Sequence, residues 1–215
     1  MALLLPIPAH RRGTRLVQLL FGLALYGLSI GLLVRSNLGL DPWDVFHQGF
    51  ATRSGLSIGS STIAVSAVVL LLWIPLRQRP GLGTISNAVL IGLVMDLTLS
   101  FLPTTDHMVG RVALLVGGIF LNGLATGLYI GAGLGPGPRD GLMTGIAARG
   151  HSLRVVRTSI EVTVLAAGWL LGGTVGIGTI VYALAIGPLV HIFIPWCTID
   201  AAVPATPPET HASLP

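Results

Sequence analysis

A short stretch occurs twice in this chain. Asn37-Leu38-Gly39-Leu40-Asp41-Pro42-Trp43-Asp44 is answered by Gly133-Leu134-Gly135-Pro136-Gly137-Pro138-Arg139-Asp140. Gly39, Pro42 and Asp44 pair with Gly135, Pro138 and Asp140 at one spacing (135 − 39 = 96). Gly22, Gly27 and Gly31 pair with Gly118, Gly123 and Gly127 at the same offset. One position less, at 95, Gly81-Leu-Gly83-Thr84-Ile85 pairs with Gly176-Ile-Gly178-Thr179-Ile180, and Ile91-Gly92 pairs with Ile186-Gly187. A spacing kept by so many glycines marks two homologous halves, so the fold must be buildable twice from one plan.

Both copies follow long apolar segments. Charged residues make up 9% of the chain and hydrophobic ones 52%, with a mean hydropathy of +0.83. Soluble domains carry about 25% charged residues, so the chain reads as a membrane protein whose first partner is the lipid bilayer. The net charge of +4 does not indicate nucleic acid. Its arginines, with no lysine among them, lie mostly between apolar segments, where they act as topology signals.

Apolar runs at Leu16–Val34, Ser57–Leu76, Thr84–Leu102, Val112–Ala132, Val155–Gly173 and Gly178–Trp196 are each close to the ~20 residues that cross hydrocarbon. The first is too long for a signal peptide, and no small-residue cleavage site follows it. With the N-terminus inside, nine arginines fall on the cytoplasmic side and three outside, which predicts cytoplasmic termini and a cytoplasmic Cys197. Three spans per half is odd, so the second half would enter from the opposite side.

The expected fold is therefore an all-α membrane protein of six transmembrane helices in two inverted three-helix repeats. Residues 15–103 and 112–196 form the repeats, behind a leader (1–14) and ahead of a disordered cytoplasmic tail (197–215). Pro42–Thr52 and Pro138–Ala148 are too short to span. Each reads as an interrupted helix, interfacial or re-entrant, with proline in its first turn.

The motif Asn-Leu-Gly-Leu-Asp-Pro-Trp-Asp, the stretch Gly-Leu-Gly-Pro-Gly-Pro-Arg-Asp-Gly-Leu-Met and the Gly-x-Gly-Thr-Ile openings together resemble the YczE/YitT-type family of bacterial integral membrane proteins, closest to its YczE branch. The resemblance covers Leu16 to about Pro195 and implies a small polytopic protein of the bacterial cell (inner) membrane. It implies no particular activity, so function has to come from the intramembrane chemistry.

Charge within a span costs about 2.5–3.5 kcal/mol on insertion scales and marks candidate sites. Asp96 and His191 are repeat equivalents in the third and sixth spans (191 − 96 = 95). They read either as a proton-coupling pair or as a structural contact between helices. Glu161 lies one turn after Arg157, a spacing that suits a salt bridge and leaves Glu161 as a third intramembrane candidate. Asp44 and Asp140 fall near the third residue of each short helix, where a carboxylate is either a cap or part of a site. Gly39, Gly135 and Arg139 complete this candidate substrate-site motif. The rows Gly27/Gly31 and Gly123/Gly127/Gly131 read as the contact between the first and fourth spans.

No nucleophile constellation or metal-ligand spacing is present, and the glycine motif follows no strand, so it is no nucleotide fingerprint. The single cysteine excludes an internal disulfide. The chain is expected not to be an enzyme, to need no cofactor or metal, and to move a small solute or ion (a proton among the candidates) through a midplane site. The alternative is a non-transporting accessory or scaffold protein assisting another membrane-associated system. A homodimer is compatible with either.

Overall fold

The computed structural model describes residues 4–200, and all regular structure among them is helical. The helices are α1 (Arg12–Ser36), α2 (Pro42–Ser54), α3 (Ile58–Leu76), α4 (Leu82–Phe101), α5 (Met108–Gly131), α6 (Pro138–Ala147), α7 (Leu153–Leu170) and α8 (Ile177–Cys197). The expected disordered tail lies, beyond Asp200, outside the described residues.

Five helices (α1, α3, α4, α5 and α8) are long and apolar enough to cross a membrane. The segment expected as the fifth of six spans is α7. Arg154, Arg157 and Glu161 interrupt its apolar character, so it falls short of the other five.

Local chemistry fixes the boundaries. Asp41 caps α2 by accepting from the Asp44 N–H at 2.8 Å, and Pro42 supplies the first helical position. Ser57 caps α3 in the same way through Ser60 N–H at 3.1 Å. At the start of α4 and of α8 the threonine of Gly-x-Gly-Thr turns back. Thr84 Oγ1 accepts from Gly81 N–H at 3.0 Å, and Thr179 Oγ1 accepts from Gly176 N–H at 3.3 Å.

Positions matched between the halves of the sequence make matching contacts. α1 and α5 pack antiparallel through the middle of the molecule, with Gly22 against Leu128 and Tyr129 and Gly118 against Ser29 and Leu33. The turn after each packs on the helix opening of the other half. Gly178 N–H donates to Leu38 O at 2.7 Å, and Gly83 N–H donates to Leu134 O at 2.8 Å. Gly39 (φ +120°) and Gly135 (φ +118°) sit in these crossings. A Cβ would meet Thr179 Oγ1 at 2.6 Å in the first and Gly81 Cα at 2.9 Å in the second, so both conformation and space demand glycine.

Arg15 and Arg111 are also 96 apart (111 − 15 = 96). Arg15 donates to Ala132 O at 2.8 Å at the end of α5, and Arg111 donates to Ser36 O at 2.8 Å at the end of α1. Each half thus caps the orphan carbonyls of the other half's first helix.

The glycine rows serve a different contact from the one expected. Gly27 and Gly31 face α4 at Ile91 and Thr98, and Gly123, Gly127 and Gly131 face α8 at Leu189, Phe193 and Cys197. The α1–α5 contact uses Gly22 and Gly118 instead. Five residues along a 3.6-residue turn put Gly22 well round the helix from Gly27, which leaves the row for the partner inside each half.

Candidate functional site

The two motif turns bring the N-termini of α2 and α6 together at one cavity of about 450 Å³. Arg139, from the second copy, reaches across to the first. Its guanidinium lies 3.2 Å from Asp44 Oδ1 and 3.7 Å from Asp41 Oδ2, and it stands over the Trp43 ring at 5.5 Å. Trp43 and Arg139 are repeat equivalents (139 − 43 = 96), so the two halves meet face to face here.

Both carboxylates are buried. Asp44 is fully buried and Asp41 is 4% exposed. His47 Nδ1 lies 3.2 Å from Asp44 Oδ1, while Asp44 Oδ2 and Trp43 Nε1 are buried with no protein partner. Burial, with the Asp44 charge adding and Arg139 opposing, pushes the Asp41 carboxyl up to about 6. Burial and then the Arg139 charge pull His47 well below the usual imidazole range.

On the α6 side, Tyr129 O–H donates to Asp140 Oδ2 at 2.7 Å, and Tyr26 meets the Tyr129 ring edge-on at 6.0 Å. Trp73 Nε1–H donates to Pro138 O at 3.0 Å and its ring lies directly on Gly141, which fixes the start of α6.

Two residue pairs exchange identity between the halves. Tyr26 is equivalent to Asn122, and Asn87 is equivalent to Tyr182. Tyr182 O–H donates to Asn122 Oδ1 at 2.9 Å, and Asn122 in turn donates to Ser29 Oγ at 2.9 Å. Tyr26 and Asn87 line the cavity, as Tyr182 also does, but no hydrogen bond joins them to each other.

Of the residues singled out from the sequence, Asp140 and Arg139 line the cavity, Asp44 lies directly behind it, and Gly39 and Gly135 hold its turns. Glu161 and His191 line it from α7 and α8, and Glu161 accepts from Arg157 Nε–H at 2.8 Å. Asp96 is elsewhere. It accepts from Gly59 N–H at 2.8 Å and from the Ser57 hydroxyl, capping α3, and no hydrogen bond or ion pair joins it to His191.

Asp41 was not singled out because the second copy carries Gly137 at that place, so the repeat hides it. The signal that could have found it is the Asp-Pro-x-Asp pattern of an N-cap. No group of three metal-ligating side chains occurs among the described residues. The arrangement can bind a small polar or cationic group among aromatic rings, and Asp41 can take up a proton beside it.

The chain is similar to proteins from two bacterial species. A Haemophilus influenzae protein named "Uncharacterized protein" is 43% identical over 192 residues, covering 89% of this chain and 87% of that one. The Bacillus subtilis "Uncharacterized membrane protein YczE" is 33% identical over 199 residues, covering 87% and 93%. "Uncharacterized protein YyaS" of the same species is 29% identical over 181 residues, covering 81% and 89%. No solved structure matches. Residues 13–195 match DUF6198, described as a family of unknown function. The chain is a membrane protein of the DUF6198 family, in the branch that includes YczE.

Proposed function

We propose that this protein moves a small solute or ion across the bacterial cell membrane through the cavity between its two halves. The observation that carries the reading is Arg139 bridging from one motif turn to Asp41 and Asp44 of the other, at the wall of a cavity between the halves. Buried charge at the junction of repeats is costly and marks a substrate or ion path in membrane proteins.

On this reading α7 completes six spans, its Arg157–Glu161 pair lowering the cost of insertion, and the halves are inverted in the bilayer with both termini cytoplasmic. The antiparallel packing of α1 on α5 and the reciprocal arginine caps support inversion. Asp41 is the leading proton-coupling group, Asp140 and Arg139 contact solute, and Glu161 and His191 border its route. Asp96 serves α3 as a cap.

The test is uptake into vesicles reconstituted with the full chain, across a panel of small cations, amines and amino acids, with and without a proton gradient. Gradient-dependent flux that is lost per folded molecule in Asp140→Asn, and retained in Asp96→Asn, is the expected result. Silence across the panel together with a stoichiometric co-purifying protein would replace transport with the accessory role.

A further inference from the structure

The cavity is closed on one side and open on the other, at positions that the repeat makes equivalent. Between α3 and α4 the backbones touch. A Cβ on Gly59 would sit 2.1 Å from Gly92 O, and Asp96 on α4 ties down the first turn of α3. Between α7 and α8 there is no such packing. Gly187, the equivalent of Gly92, has open space where its Cβ would be, and His191, the equivalent of Asp96, is exposed. Arg157 and Glu161 on α7 and Gly187, Val190 and Ile194 on α8 line the cavity through this gap, so the cavity reaches the molecular surface there.

α7 and α8 flank an opening whose α8 wall is apolar apart from His191, a composition that suits lipid better than water. The inner end has the opposite character. Asp41 and Asp140 face the cavity against Arg139, a formal excess of one negative charge, with Asp44 behind them. Tyr26, Trp43 and Tyr129 present rings beside these carboxylates, the combination that recognises alkylammonium groups.

We propose that the gap between α7 and α8 is a lateral portal from the bilayer, and that the ligand is a single-chain cationic amphiphile. Its ammonium head lies among the carboxylates and aromatic rings, and its alkyl chain lies in the gap along α8. The inference rests on the cavity being the functional site and adds the route and the substrate class.

The experiment is saturable binding of radiolabelled dodecyltrimethylammonium to the full chain in uncharged maltoside micelles. Wild type is expected to bind it saturably. Unlabelled dodecyltrimethylammonium should displace it, tetramethylammonium should do so only at much higher concentration, and dodecyl sulfate should not displace it. Gly187→Trp should fill the gap and weaken binding by about tenfold, the equivalent of ~1.4 kcal/mol. Gly117→Trp, at another glycine facing open space, is the control and should bind as wild type does.

Absence of saturable binding to wild type, equal displacement by dodecyl sulfate, or unchanged binding in a folded Gly187→Trp would overturn the proposal. So would loss of a dimer in Gly187→Trp by size exclusion, because a second copy would then fill the gap. The competition series uses wild type alone and decides the charge class even if Gly187→Trp does not fold. Binding without flux in vesicles would overturn transport and leave the portal standing, whereas flux retained in a folded Gly187→Trp would remove the portal alone.

Discussion

The contact between α3 and α4 and the gap between α7 and α8 occupy matching positions in the two halves of the sequence, yet one is sealed and the other is not. In the first, two glycines and an aspartate cap join the helices. In the second, the glycine on α8 survives without a partner, because Gly59 has no small counterpart on α7, where Arg154 and Val155 stand at the two offsets. Backbone approach needs small residues on both helices, and losing one is enough to part them. The motif turns behave differently. Their crossings, glycines and arginine caps are kept in both halves, because each half holds the other and neither can change alone. Symmetry persists where the halves bind each other and lapses where the cavity is built.

The largest expected effect lies where the halves meet. Arg139→Gln leaves the buried carboxylates of Asp41 and Asp44 without a counter-charge, and breaking a buried pair costs about 3–5 kcal/mol. Thermal melting in detergent should show it as a large drop in midpoint. A small drop would mean that the centre is already water-filled and screened.

The seams can be compared directly. Gly92→Leu must push into the α3 backbone, an overpacking cost of about 1–3 kcal/mol or more. Gly187→Leu meets nothing and should stay within about 0.5 kcal/mol of wild type. Equal losses in a melting series would erase the difference between the seams.

A pH series isolates the contribution of the first half, since Asp41 has only Gly137 as its equivalent. The folded chain holds the Asp41 proton up to about 6, above its unfolded value, so this group's stabilisation is present at low pH and lost as pH rises through about 6. His47, pulled down, acts in the opposite sense and loses stability as pH falls. Asp41→Asn keeps the N-cap and keeps His47, so the difference between variant and wild type carries the Asp41 contribution together with its charge's effect on His47. Melting midpoints should separate with rising pH, in favour of the variant. Parallel curves would mean that Asp41 does not change protonation on folding.

The smallest effect belongs to the rim of the open seam. Arg157 is 61% exposed and Glu161 31%, so their coupling in a double-mutant cycle of Glu161→Gln and Arg157→Gln should be about 0.5 kcal/mol in detergent. A coupling several times larger would place the pair in a drier setting than the open gap provides.

Much of this was legible from spacing. The motif turns, the all-helical fold and the short helices follow from glycine, proline and apolar runs, because those residues act locally. The Arg157–Glu161 pair was legible for the same reason, being one turn apart. What spacing could not supply was direction. The glycine rows were visible, but which helix they face depends on rotation about the axis. Arg15 and Arg111 stood at the repeat offset all along, yet read as topology signals because a snorkelling arginine and a carbonyl-capping arginine look alike in sequence. Asp41, Tyr26 and Asn87 were hidden by the repeat itself, since each is a place where the halves carry different residues. Asp96 and His191 are equivalent in sequence without being neighbours. Equivalence in sequence does not by itself make residues neighbours, although Trp43 and Arg139 do meet.

The claim that the two motif turns form one charged centre can be measured as the coupling between Arg139 and Asp44. Arg139→Gln, Asp44→Asn and the double variant are melted side by side, and the double is compared with the summed singles. A shared centre predicts that the double loses less than the sum by about 2 kcal/mol or more, because removing both partners leaves no charge stranded. Strictly additive losses would mean that the turns do not interact, and that the cavity between the halves is not a single site.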